Sequence, residues 1–236
     1  IHPTIFDNIQ CHNANLSEGL SYNTGKTKLI ISDGANLESP TVRVSDYVST
    51  LRDVDGSSYD GELHLIGNEK SNELYAGVGG ATLDGGEGND KLYGNTGADV
   101  FVYGNGEGND HIYNYDSTDE SSADVVVLNG VSGVDRSDFR DSGKNTVLTI
   151  GSNRLTFVNP KGEIVLTDGS GNTLATYGAN LPTGVSYNSP KTRLTIGANA
   201  NLEENGNVFN VEDYSNNLKD INASKYGEAV ELNGDD

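Results

Sequence analysis

The sequence predicts an all-β fold in which a short parallel β-roll is flanked by antiparallel β-sandwich-like modules. Three observations carry that prediction. Apolar residues recur nine apart, at Leu65, Leu74, Leu83, Leu92 and Phe101. Glycine-rich bends separate them, and elsewhere turn residues punctuate short β-branched runs about every eight to twelve positions. No segment keeps a 3.6-residue apolar period for long, so helices have little to build on.

The 236 residues divide into five parts on these signals. Residues 1–15 read as a linker or the remnant of a preceding module. Residues 16–66 form a first β module, with a strand at Lys28-Leu29-Ile30-Ile31 and room for one helical turn within 45–54. Residues 67–115 form the roll. Residues 116–178 are a β-rich cap. There Ala123-Asp124-Val125-Val126-Val127-Leu128 is a strand, and Thr146-Val147-Leu148-Thr149-Ile150, Gly151-Ser152-Asn153 and Arg154-Leu155-Thr156-Phe157-Val158 read as a hairpin. Glu163-Ile164-Val165-Leu166-Thr167 follows. Residues 179–236 repeat the first module. Leu16-Ser17-Glu18-Gly19-Leu20-Ser21-Tyr22-Asn23 recurs as Leu181-Pro182-Thr183-Gly184-Val185-Ser186-Tyr187-Asn188, and Gly67 aligns with Gly234. One tandem unit and the opening of the next are expected, as in a fragment of something longer.

Within the roll the third nine-residue copy is Gly85-Gly86-Glu87-Gly88-Asn89-Asp90-Lys91-Leu92-Tyr93. It fits G-G-x-G-x-D-x-(apolar)-x without a mismatch, the pattern of a calcium-binding β-roll. The copies at 67–75 and 76–84 carry Asn72 and Ala81 in place of the aspartate, whereas the copy at 94–102 keeps Asp99. A three-residue strand buries little alone, so the apolar rows must stack. Glycines permit bends whose carbonyl oxygens converge, and with an Asp carboxylate these make an all-oxygen cage suited to Ca²⁺.

Successive bends fall on alternate edges, so an ion would sit between bends eighteen residues apart. One edge holds the bends opening at Gly67 and Gly85 and the later Asn109-Asp110; the other holds those opening at Ala76 and Gly94. Asp90 can serve one ion toward Asn72 and another toward Asp110, whereas Asp99 faces Ala81 and lacks a matching acid. The predicted ligands are Asp90, Asp99, Asp110 and Asn72. Backbone oxygens of Gly67, Glu69, Gly85, Glu87, Asn89, Gly94, Thr96 and Ala98 complete the set, for several calcium ions. A two-residue phase shift before Ile112 suggests that the roll ends near there.

Charge agrees with this reading. Acids number 35 against 15 Lys and Arg, a formal charge of −20. Residues 84–124 hold ten acids, with Lys91 their single Lys or Arg. Carboxylates this dense resist compaction unless cations neutralise them, and they repel nucleic acid and anionic lipid. No apolar run approaches the ~20 residues of a membrane span. Neither nucleic acid nor membrane insertion is expected. Cys11 is the one cysteine, which excludes an internal disulfide.

These residues resemble the repeats-in-toxin (hemolysin-type calcium-binding) family of secreted bacterial proteins. The likeness is most specific at Gly85 to Tyr93 and good at Gly94 to Val102, and residues 99–110 are similar to the usual exit from such a roll. The modules containing Ser-Tyr-Asn and a following Lys-Thr resemble those of large repetitive bacterial surface proteins. Membership implies type I secretion, an extracellular or cell-surface location, and folding in extracellular calcium. It leaves the activity of the parent protein open.

Other motifs read as structure. Thr24-Gly25-Lys26-Thr27 lacks the upstream glycine of a phosphate loop. Asp53-Val54-Asp55-Gly56 lacks the closing Glu of an EF-hand. His2, His12, His64 and His111 share no zinc spacing, and no G-x-S-x-G occurs. The expected function is a non-enzymatic structural or adhesive repeat, with neighbouring tandem modules and a surface or glycan ligand as partners. An accessory secretion module of a toxin, hydrolase or polysaccharide-modifying enzyme is the alternative. A carbohydrate-binding module that stacks sugars on exposed tyrosines is a third, disfavoured by the absence of Trp.

Overall fold

The computed structural model describes residues 16–118, 122–178, 185–187, 193–197, 200, 208–210, 219–224 and 231–233. Expectations placed on residues 1–15, Cys11, His2 and His12 among them, and on most of 179–236 lie outside the described residues. The fold is all-β, and its helical content among the described residues is two single turns of 3₁₀ helix, Val44–Asp46 and Arg136–Asp138. The first falls at the edge of the stretch where one helical turn is expected.

The chain enters with β1 (Leu20–Tyr22) and β2 (Lys28–Ile31), an antiparallel pair. It then alternates between two sheets. Strands β3 (Thr41–Arg43), β5 (Leu63–Ile66), β7 (Ala81–Asp84), β9 (Val100–Gly104) and β11 (Val125–Asn129) join one sheet. Interleaved with them, β4 (Asp53–Asp55), β6 (Glu73–Tyr75), β8 (Lys91–Tyr93) and β10 (Asn109–Tyr113) extend the sheet of β1 and β2. Every neighbouring pair from β2 and β3 onward in these runs is parallel. After β11 the antiparallel meander β12 (Phe139–Ser142), β13 (Asn145–Ile150) and β14 (Asn153–Val158) docks through a parallel β10–β14 pair. Strand β15 (Ile164–Asp168) lies parallel to β11, and β16 (Thr173–Tyr177) closes that sheet antiparallel.

Antiparallel pairing therefore sits at the ends and parallel pairing between them. The parallel run is longer than residues 67–115. It starts at β2 and reaches β15, crossing 66–67 and 115–116 without a break. The phase shift before Ile112 does not end the winding, because the inward apolar row continues through it.

That row explains the fold. On one inner face Leu29, Val54, Leu74, Leu92, Ile112 and Phe157 stand in register. On the other, Val42, Leu65, Leu83, Phe101, Val126 and Leu166 do the same. None is more than 2% exposed. Each such side chain contributes about 1.5–3 kcal/mol on burial, and only the stack supplies the cover that a three-residue strand lacks.

Outward residues of the larger sheet stack too. Tyr75, Tyr93 and Tyr113 form a ladder with ring centroids 4.3 and 4.4 Å apart, and the Lys28 ammonium lies 4.4 Å from the free face of Tyr75. Because parallel in-register strands place identical positions one above another, a tyrosine at the ninth place of the repeat must stack on its successor.

The later copy repeats the opening pairing. Strands β17 (Val185–Tyr187) and β18 (Arg193–Ile196) are antiparallel with Val185 opposite Ile196, as Leu20 is opposite Ile31. Strand β19 (Val208–Asn210) precedes β20 (Asp220–Asn222), which lies parallel to β18, and β21 (Glu231–Asn233) lies parallel to β19. These pairs reproduce β2–β4 and β3–β5 at corresponding residues. The sequence repeat is thus a repeat of backbone pairing.

Candidate metal site

The bends between the two sheets occupy two edges. On the first lie the bends from β5 to β6, β7 to β8 and β9 to β10; on the second lie those from β6 to β7, β8 to β9 and β10 to β11. The structure joins the bends that the eighteen-residue spacing pairs, and it does so through the backbone.

On the first edge, the Asn72 N–H donates to Asp90 Oδ1 at 2.7 Å, and the Asp90 N–H donates to Asp110 Oδ1 at 2.8 Å. On the second edge, the Ala81 N–H donates to Asp99 Oδ1 at 2.8 Å, and the Asp99 N–H donates to Asp124 Oδ1 at 2.9 Å. Every rung is thus a charge-assisted bond between a bend amide and the carboxylate of the next bend on that edge. Asn72, Asp90, Asp99, Asp110 and Asp124 are all at most 1% exposed. Asp124 belongs to the second ladder although its distance from Asp99 is 25 residues; an insertion in that bend hides it from the nonapeptide period.

The second oxygen of each side chain separates the rungs. Asn72 Oδ1 accepts from the Asn68 N–H at 2.8 Å, and Asp99 Oδ2 from the Asn95 N–H at 2.7 Å, each donor four residues back. Asp124 Oδ2 accepts from the Asp116 N–H at 2.8 Å. At Asp90 the corresponding donor is Gly86, whose N–H turns to Asp84 Oδ1 at 3.1 Å instead. Asp90 Oδ2 is left buried without a hydrogen-bond partner. A buried anionic oxygen without a partner costs more than 1–3 kcal/mol, the range for a neutral group, and normally marks a missing proton, water or cation.

The electrostatics point the same way. Burial pushes the Asp90 carboxyl up to about 8, against the Asn72 N–H bond, and Asp110, Glu107 and Asp84 raise it further. Burial likewise lifts Asp110 to about 7, Asp124 to about 7 and Asp99 to about 6. Lys91, the nearest cation in sequence, is turned to the outer sheet face, where its ammonium pairs with Glu73 at 2.9 Å.

The predicted carbonyl donors divide by position. Gly67, Gly85 and Gly94 are buried where their bends begin, whereas Glu69, Glu87, Asn89, Thr96 and Ala98 lie exposed along the bends. A Cβ on Gly67 would meet the Gly85 carbonyl oxygen and Asn72 Oδ1, and one on Gly85 would meet Asp90 Oδ2. The bends are therefore stacked tightly enough to require glycine, and Gly85 lies directly against the unpartnered carboxylate oxygen. Beyond the rungs, Gly94 O accepts the Asn114 side-chain amide at 3.1 Å, and the Asn72 amide donates to Arg52 O at 2.6 Å. Among the described residues no three His, Cys, Asp or Glu side chains converge on one point. A cation here needs backbone oxygens as well as carboxylates, which is the chemistry of a hard ion. The residues around Asp90 fit calcium on these grounds.

A scan against protein-family models and a search of curated proteins find no match to this chain.

Proposed function

We propose that the chain is a calcium-binding structural or adhesive repeat of a secreted bacterial protein of the repeats-in-toxin type, without enzymatic activity, that folds and stiffens on extracellular calcium. One observation carries the reading. Asp90 Oδ2 is buried and unpartnered, within a neighbourhood that also holds Asp84, Glu107 and Asp110. Two ladders of buried carboxylates hold the bends, and among the described residues no Lys or Arg pairs with a ladder carboxylate; Lys161 reaches only Asp116, beside Asp124, at 2.9 Å. The protein contributes the shape, the backbone oxygens and the negative charge. Calcium supplies the positive charge that lets the carboxylates stay ionised in the bends. Asp90 and Asp110, with oxygens of Gly67, Gly85 and the adjoining bends, would hold it most firmly; Asp99, both of whose oxygens are bonded to N–H groups, would hold it less so.

Extracellular calcium modules have Kd values of about 10⁻⁴ to 10⁻³ M. An ion at ~10 times its Kd adds about 1.4 kcal/mol by binding linkage, so a few coupled ions supply a large part of a marginal domain's stability. Inside a cell such sites stay empty, and outside they fill. Circular dichroism and thermal melting of the chain, with chelator and with millimolar calcium, test the reading. Calcium is expected to raise the melting temperature and the β signal; identical curves would overturn it.

A further inference from the structure

The second edge carries a feature that neither the ladder nor the repeats account for. Described residues of three consecutive bends, within 94–99, 114–118 with 122–124, and 159–163, line a cleft of about 410 Å³, within the range of about 300–1,000 Å³ typical of small-molecule sites. Its polar lining includes Thr96, Asn114, Ser122 and Asn159, with Lys161 and Asp116 beside them. We propose that this cleft binds a neutral pyranose, such as a terminal sugar of a surface glycan. The proposal deepens the adhesive reading above and rests on it.

Charge argues for a neutral guest. Lys161 Nζ and Asp116 Oδ2 pair at 2.9 Å and satisfy one another. Asp124 is buried, with both oxygens accepting backbone N–H groups. What remains for a ligand is hydroxyl and amide. The side chains of Thr96, Ser122 and Asn159 make no hydrogen bond among the described residues, and Asn114 uses only its Nδ2, on Gly94 O. Donors and acceptors thus converge from three bends, which matches the mixed donor–acceptor rim of a sugar ring. Val158 gives that ring an apolar contact, and the buried Tyr115 belongs to the core behind the wall. Tyr115 is fixed in place, since its hydroxyl donates to Glu163 O at 3.2 Å and accepts from the Val165 N–H at 3.1 Å.

Backbone strain marks the same place. Among the described residues three non-glycine positions have positive φ, and two of them, Asn114 at 62° and Asn159 at 51°, line the cleft. They follow the in-register pair Tyr113 and Val158, so the strained positions lie side by side at one wall. Sparsely populated backbone states of this kind collect at ligand sites. In the tyrosine ladder, by contrast, Tyr93 is covered on both faces and Tyr75 lies between Tyr93 and Lys28.

The test is saturation-transfer NMR with calorimetry on the whole chain in millimolar calcium, using methyl pyranosides of glucose, galactose, mannose and fucose. At least one is expected to bind. Ser122→Ala, and separately Asn159→Gly, which keeps the backbone conformation, should each weaken it about tenfold. Calcium stoichiometry, read on the same samples, should not change. Absence of transfer to any of the four sugars overturns the proposal, as does binding that both variants retain. Calcium binding without sugar binding would sink the cleft alone, and sugar binding without calcium binding would sink the calcium reading alone.

Discussion

Replacing Asp90 by Asn is predicted to have opposite effects with and without calcium. Asp90→Asn preserves the side-chain shape and an oxygen for the Asn72 N–H, and removes the charge. In the unfolded chain at pH 7 an Asp with the ordinary value of 3.8 is ionised, whereas the folded Asp90, raised to about 8, must take up a proton. Holding that proton about 3 pH units above the ordinary value costs about 4 kcal/mol, at 1.36 kcal/mol per unit. Asp110, Glu107 and Asp84 share in the effect, so this is the upper end. In chelator, Asp90→Asn should therefore stabilise the fold by up to about 4 kcal/mol. In saturating calcium the order should reverse, because the wild-type carboxylate gains its ion and the amide does not. Urea denaturation of both chains in the two buffers gives the four free energies. Calorimetry should show the ions on either side of residue 90 lost together. A variant less stable than wild type in chelator would refute the electrostatic reasoning, and an unchanged calcium increment would refute the ligand assignment.

Four further outcomes follow from the same geometry. In chelator, wild type should melt higher at pH 5 than at pH 8. The folded state of Asp99, Asp110, Asp124 and Asp90 holds protons up to about 6, 7, 7 and 8, while the unfolded chain releases them near 3.8, so stability falls as pH rises through that window; melting temperatures that climb with pH would contradict it. Gly108→Ala should destabilise the first edge in calcium-loaded protein by several kcal/mol, since φ is 101° and the new Cβ would strike the Gly88 carbonyl oxygen; equilibrium unfolding reads this. Leu83→Ala removes a fully buried side chain between Leu65 and Phe101 and should cost about 2–5 kcal/mol in the same assay. Tyr93→Ala breaks two stacked contacts and should cost about 1–3 kcal/mol beyond the lost area, with calcium stoichiometry intact.

The inward leucines and the pairing of bends at eighteen residues were legible because the nonapeptide couples both to one period. Leu65, Leu74, Leu83, Leu92 and Phe101 are all at most 1% exposed, and Asp90 meets the bends of Asn72 and Asp110. The hairpin over 145–158 was equally readable, from two β-branched runs around Gly151. Two things were hidden. The parallel winding of residues 28–66 and 125–168 has no glycine–aspartate signature, and its strands are recognisable only as short apolar runs that suit either pairing. Asp124 escaped because the bend before it is lengthened, which moves the acid out of period while the backbone still returns it to the ladder. The unpartnered oxygen of Asp90 was also beyond sequence reasoning, since it depends on which acceptor the Gly86 N–H chooses.

The rungs share one orientation: an earlier amide always donates to a later carboxylate, as Asn72 does to Asp90 and Asp90 to Asp110. A bend without its successor leaves this N–H to water. A bend added in front of an existing one is met at once by a waiting acceptor. Return bonds run the other way, from the Lys91 N–H to Asn72 O and from the His111 N–H to Asp90 O, so each coil clasps both of its neighbours and the loss of one loosens two.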